Sequence, residues 1–328
     1  MHKQGGSNLK RTFVITGAAL FMFALDRQVV ANALPSIRRE LEASLQALEW
    51  TVSAYTLSFS VLLLAGAALG DRFGRRRMFG VGLAIFTAGS AASALAPSAG
   101  ALIAARVLQG VGGSLIMPLS LTILAAATPL ERRGKVLGVW GALAGAAASL
   151  GPVLGGALTE TLSWHWIFWI NVPIGMALIP LSHRWLKETY GPAQPLDLVG
   201  IVLSTAGLLA LVWALIEAGS LGLGSTPIVL SLVGGAIVLL AFLTWEQRSS
   251  APMMPVRFFR SRGFAAAAAA SLLAYFAFFG SFFLVTQLLQ IGLHATPLTA
   301  GLELLVLTCA AASTAPVAGA LCDRLEDR

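Results

Sequence analysis

At 328 residues the chain is long enough for one or two soluble domains, but 57% of it is hydrophobic and only 11% charged, too little charge to cover a water-facing surface. The formal net charge is +7 and the mean hydropathy +0.80. Charge-free stretches of roughly 20 residues, the length of one bilayer-crossing helix, recur along it. Two cysteines, Cys309 and Cys322, exclude a disulfide framework or a multi-cysteine zinc site. The four histidines lack metal spacing, and no Walker loop, GxGxxG turn or GxSxG elbow is present. The expectation is an all-α polytopic membrane protein that is not an enzyme, with no metal and no cofactor.

In chain order the apolar runs predict ten spans, at residues 12–33, 48–70, 78–96, 101–126, 135–159, 164–185, 197–217, 226–245, 264–291 and 298–322. The first run is too long for a cleaved signal peptide and carries Asp26 and Arg27 where such a segment is uncharged. Of the 22 Lys and Arg residues, 18 fall at the amino terminus, in the loops after even-numbered spans, or after span 10. The positive-inside rule then makes both termini cytoplasmic. The basic balance is a topology signal and not a nucleic-acid footprint. Trp50, Trp164, Trp166 and Trp169 near outer span ends, with Trp185 and Trp245 near inner ones, read as interfacial anchors.

Ionisable side chains inside a bilayer are costly, so each is a candidate for function. Span 1 holds Asp26 and Arg27, span 4 holds Arg106, and span 10 holds Glu303 near its outer end. Burial favours the neutral form of a carboxylate and a neighbouring guanidinium favours the charged form. A carboxylate that moves between two such settings can take up and release a proton, which makes Asp26 the candidate proton carrier and Arg106 its fixed counter-charge. Adjacent helical residues point about 100° apart, so Arg27 does not face Asp26 and reads as snorkelling outward or as a structural pair. Glu303 is a candidate contact for a substrate cation. The turn after span 2, Leu69-Gly70-Asp71-Arg72-Phe73-Gly74-Arg75-Arg76-Arg77, combines a tight bend with a charge lock. Gly110, Gly112 and Gly113 on span 4, and Gly151, Pro152, Gly155 and Gly156 on span 5, permit close helix approach and bending.

Taken together these motifs resemble the major facilitator superfamily, specifically its fourteen-helix drug:proton antiporters. Leu102-x3-Arg106-x2-Gln109-Gly110-x-Gly112-Gly113 matches the span-4 motif associated with proton coupling, and Gly151-Pro152-Val153-Leu154-Gly155-Gly156 matches the span-5 antiporter motif. Asp71, Arg72, Gly74, Arg75 and Arg76 match the gating turn, with Ala67 in place of its leading glycine. Leu25-Asp26 through Ala33-Leu34-Pro35 matches the span-1 motif, from which Arg27, Gln28 and Asn32 depart. The segment from Trp164 to Gly175 resembles the span-6 signature, with His165 in place of arginine. The resemblance covers residues 12–322.

The resemblance implies a six-helix N-terminal half (1–185), a linker carrying two extra helices (186–250), and the first two helices of a C-terminal half (251–328), after which four more spans are expected. Gly319 to Arg324 echoes Leu69 to Arg72, a faint internal repeat of the two halves. The resemblance implies proton-coupled efflux of amphipathic, often cationic, drug-like compounds by alternating access, and the Ala/Gly-rich composition fits a bacterial inner membrane. The partners would then be membrane lipid and a small substrate, with the proton gradient as the energy source. Two alternatives stay open: a truncated, non-transporting or partner-dependent membrane protein, and a proton-coupled metabolite importer, against which the span-5 Gly-Pro stripe counts.

Overall fold

The computed structural model describes residues 2–191, 197–249, 252, 256–293, 295, 299 and 302–304. Regular structure among them is entirely helical. In chain order the helices are α1 (His2–Glu40), α2 (Leu45–Phe73), α3 (Arg75–Ala94), α4 (Ala99–Ala127), α5 (Leu130–Thr161), α6 (Trp166–Trp169), α7 (Asn171–Trp185), α8 (Leu198–Leu221), α9 (Thr226–Arg248) and α10 (Arg262–Gln287). A 3-10 turn (Val256–Arg260) leads into α10, which runs on into a π-helical turn (Leu288–Gly292).

Seven stretches among the described residues are long and apolar enough to cross a bilayer, with α6 and α7 together forming one of them. The predicted third span is also a helix, α3, but it opens on Arg75, Arg76 and Arg77 and is rich in small residues, so its mean hydropathy is low. It is sheltered instead, packed between α4 and α7. The predicted ninth span is α10. The tenth, 298–322, lies outside the described residues except for 299 and 302–304. The helix of the first span continues to Glu40 and takes Arg38 and Arg39 into its last turn, where cations face the negative end of the helix dipole.

The helix ends follow the sequence. Ser44 and Ser98 accept hydrogen bonds from the amides of Ala47 and Ala101, and Asp197 accepts one from Gly200, each meeting a donor that the first helical turn cannot use. Gly74 joins α2 to α3 with φ of 102°, a conformation open to glycine and strained for other residues.

Helix α4 lies between α2 and α3, α1 packs along α5 and α4, and α8 with α9 forms a hairpin laid against α2. Glycines set the spacing. A Cβ on Gly66 would meet the Ser114 backbone, and one on Gly110 would meet Ser58. On the opposite face of α4, a Cβ on Gly112 would stand 2.8 Å from the Gly82 carbonyl oxygen. Close backbone approach is how helices associate where no hydrophobic force drives them together.

The apolar interior forms two clusters. One, towards the arginine turn, holds Phe23, Tyr55, Phe79, Phe86 and Ile116; the other holds Val29, Ile37, Leu102, Ile167 and Phe168. Along α1, α3 and α4 the boundary between them falls at Asp26, Ser90 and Arg106, all fully or almost fully buried.

One anchor assignment changes. Trp164 does not face lipid: it is 1% exposed, stands edge-on to Phe168, and donates its indole N–H to Glu40 at 2.8 Å. The half-exposed Glu40 carboxylate at the end of α1 accepts the indole N–H at the edge of the bundle, so the ring itself packs inward. Trp166, 48% exposed, keeps the outward place.

Gly112→Ala is expected to lower thermal stability in detergent by about 1–3 kcal/mol through overpacking. Gly234→Ala, whose new Cβ meets nothing within 4 Å, should be neutral or stabilising by up to about 1 kcal/mol. Unfolding midpoints of the two variants check this.

Candidate functional site

At the boundary between the two clusters, four elements bring polar side chains to one point. Asp26 of α1 is 0% exposed, and Arg106 of α4 is 1% exposed. Arg106 donates from one terminal nitrogen to Asp26 Oδ2 at 2.6 Å and to Gln109 Oε1 at 2.9 Å, and from Nε to the Thr51 carbonyl at 3.3 Å. Gln109 lies one turn along α4, on the same face as Arg106. Its amide donates to Asp26 Oδ1 at 3.1 Å and to Ser90 Oγ at 3.1 Å. Asn171, at the start of α7, donates to Asp26 Oδ1 at 2.7 Å and to Ser90 at 3.0 Å. Ser90 donates onward to the Phe168 carbonyl and Ser93 to Gln109, both at 3.0 Å.

Three donors therefore converge on the Asp26 carboxylate, an arrangement suited to the ionised, acceptor-only group. The guanidinium lies 4.1 Å from the centroid of the Tyr55 ring and 5.7 Å from that of Phe168, so aromatic faces add to its stabilisation. A buried pair of this kind gains little net stability over an apolar isostere, yet removing one partner strands a charge. Its value is positional: α1, α3, α4 and α7 are registered to one another through it.

The sequence singled out Asp26, Arg106 and Gln109, and the structure brings all three together. Ser90, Ser93, Tyr55 and Asn171 were not assigned a role. Asn171 stood within the quoted segment from Trp164 to Gly175, and an amide after a run of aromatics was the available signal. Ser90 and Ser93 sit in a small-residue helix whose pattern reads as packing alone.

Arg27 is exposed on α1. One residue along α1 from Asp26, it turns away from the network and lines a cavity of about 440 Å³ bounded by α1, α2, α4, α5 and α10, with Phe23, Gln28, Phe59, Trp140 and Tyr275 among its walls. The 100° step of the helix puts one charge inside the bundle and the next on its cavity face.

The gating turn closes on itself and on the segment after α7. Arg75 pairs with Asp71 at 2.7 Å, while Arg72 is exposed. Glu188 accepts from the backbone amides of Arg76 at 2.8 Å and Arg77 at 3.2 Å, and its carboxylate lies 3.5 Å from Arg76 Nε. A carboxylate thus caps the N-terminus of α3, where the helix dipole favours an anion. Gly74 makes this possible, because a Cβ there would meet the Glu188 carboxyl. Glu188 escaped the sequence reading because its distance from the turn, 112 residues from Arg76, leaves no local pattern.

On α5, Gly151 rests against Gln28 and Gly155 against the Val29 backbone, whereas nothing approaches the Cβ position of Gly156. Pro152 lies inside the same helix. Glu303 is exposed and is not among the residues lining the cavity.

A bundle of long apolar helices with a charge network at its centre defines a polytopic helical membrane protein. The sequence matches the Major Facilitator Superfamily over residues 16–328, and the chain belongs to that family, one of transporters and not of enzymes. It is 36% identical over 319 residues to the multidrug resistance protein Stp of Mycobacterium tuberculosis, covering 97% of this chain and 59% of that protein. It is 35% identical to the tetracenomycin C resistance and export protein of Streptomyces glaucescens, covering 95% and 59%. The chain thus spans about three-fifths of the length of these curated relatives. Among solved structures, the proton:xylose symporter XylE superposes with a TM-score of 0.60 at 14% identity, over 96% of this chain and 69% of that one. The human organic anion transporter MFSD10 gives 0.52 at 19% identity, over 96% and 86%. These likenesses establish the fold.

Asp26→Ala is expected to cost about 3–5 kcal/mol in stability by leaving Arg106 buried without its counter-ion. Adding Arg106→Leu should recover part of that loss, a non-additivity readable as a double-mutant cycle in detergent unfolding.

Proposed function

We propose that this protein exports amphipathic, drug-like compounds in exchange for protons, by alternating access across a bacterial inner membrane. The observation that carries the reading is the buried Asp26–Arg106–Gln109–Asn171 network, a carboxylate held by three donors where four helices meet. Relatives named for multidrug resistance and for tetracenomycin C resistance and export support the direction of transport.

Protonating Asp26 removes its charge, and the bond to Arg106 loses its ionic part. The guanidinium is fixed and always charged, so it turns to the Thr51 carbonyl, Gln109 and the aromatic faces already around it. That loosens α1 from α4 and α7. Because packed interfaces switch between discrete arrangements, the loosened bundle rocks and the cavity changes sides. Proton release to the cytoplasm restores the pair and resets the bundle.

Two other motifs set limits on this motion. The Asp71–Arg75 pair braces the α2–α3 turn and the Glu188 cap holds it to the segment after α7, which stabilises the outward-facing arrangement. Gly151 and Gly155 seat α5 against α1 and restrict leak. With both termini cytoplasmic, the arginine turn lies on the inner side, as the positive-inside rule requires.

The test uses the full-length protein in proteoliposomes. An imposed proton gradient should drive accumulation of substrate against its gradient, and a protonophore should abolish it. Asp26→Asn should lose gradient-driven transport while still binding substrate. Gradient-driven transport that survives Asp26→Asn would contradict the assignment.

A further inference from the structure

The segment from Trp164 to Asn171 grips α1 at two places. At one end Asn171 donates to Asp26 Oδ1 inside the buried network. At the other, the Trp164 indole N–H donates to Glu40 Oε2 at 2.8 Å. The His165 ring stacks on that indole with centroids 3.8 Å apart, and its Nε2 lies 3.6 Å from Glu40 Oε1. Both acids belong to α1, and the helical rise of 1.5 Å per residue sets them about 21 Å apart. Between the two grips the chain is stiff. The amides of Ile167, Phe168 and Ile170 bond to the carbonyls of Trp164, His165 and Trp166. Phe168 accepts from Ser90 through its carbonyl, and its ring centroid lies 5.7 Å from the Arg106 guanidinium.

Asn171 depends on that backbone. Its amide nitrogen donates to Asp26 and to Ser90, while its Oδ1 is buried with no hydrogen-bond partner among the described residues. A buried acceptor left unmatched costs free energy, so the side chain is not held in place by its own oxygen. Ile167 and Phe168 share an apolar cluster with Val30 and Ile37 of α1, but apolar contact is non-directional and leaves sliding open. A hydrogen bond has a preferred length and angle and fixes the register. We infer that Trp164 and Glu40 are positioning residues for the proton-exchange step: their bond sets the register of residues 164–171 along α1 and thereby holds Asn171 on Asp26. The consequence for transport rests on the export reading above. Because Glu40 is half-exposed, water can replace its carboxylate at the indole, but water is not attached to α1 and the tie is lost.

Variants of the full-length protein separate the bond from the packing. Trp164→Phe keeps a ring and removes the donor, Glu40→Ala removes the acceptor, and Glu40→Gln keeps an acceptor oxygen without the charge. Deuterium uptake at the backbone amides of residues 166–171 should be about tenfold faster in Trp164→Phe and in Glu40→Ala, the scale of one hydrogen bond. The double variant should be no faster than either single one, because both remove the same bond. Glu40→Gln should stay close to the wild type, and the amides of α4 should keep their protection. In proteoliposomes with an imposed proton gradient and ethidium as the probe, the maximal rate should fall about tenfold in the same variants, with KM within about twofold of the wild type and Glu40→Gln near normal. Unchanged uptake in both single variants, effects that add in the double variant, or a Glu40→Gln as impaired as Glu40→Ala would overturn the inference. So would a raised KM at unchanged maximal rate, or lost protection throughout α4, which would make the bond a general prop of the fold. Uptake is read without a gradient. Faster uptake in the variants with no ethidium transport by the wild type therefore counts against the export reading alone, and faster uptake with undiminished variant transport counts against the inference alone.

Discussion

Everything in the bundle is arranged around one costly decision, an ion pair in the dry interior of a membrane protein. Asp26 and Arg106 meet at 2.6 Å with no more than 1% of either side chain exposed, in surroundings where an unpaired charge costs several kcal/mol (~3–5). The rest follows from keeping both satisfied. Gln109 and Asn171 donate to the other carboxylate oxygen, Thr51 and Tyr55 meet the guanidinium, and Ser90 ties the amides together. Because these residues come from α1, α2, α3, α4 and α7, none of those helices can shift without breaking a buried bond.

Close packing makes the network attainable. The glycines of α4 bring its backbone within contact of α2 on one face and α3 on the other, which shortens the reach that Arg106 and Gln109 must span. The same logic operates at the far end of α2, where Gly74 leaves room for the Glu188 carboxylate to cap α3. Small residues and charges therefore act as one device, since the glycines create the approach that the polar bonds then lock.

Much of this was legible in the sequence, and for physical reasons. Spans are visible because lipid imposes length and apolarity, and Asp26 and Arg106 stand out because charges are rare there. Helix α3 is less apolar than its neighbours yet appears at the predicted place, since the arginines that lower its hydropathy sit in its first turn. What stayed hidden depends on direction. Trp164 has the composition of a belt residue, and only its bond to Glu40 shows that it faces inward. Whether Arg27 faces lipid or a cavity is decided by helix rotation, which tertiary packing sets. Ser90 bonds to Phe168 and Asn171, 78 and 81 residues away, and Glu188 to Arg76, 112 residues away, beyond any local pattern.

If Asp26 is the group through which proton and substrate compete, linkage requires that binding one expels the other. The direct measurement is proton release on substrate binding by the full-length protein in weakly buffered detergent solution. The account predicts that the wild type releases about one proton per substrate bound and that Asp26→Asn binds substrate with no release. Release that persists in Asp26→Asn, or wild-type binding with no release at any pH at which the protein is folded, would contradict it.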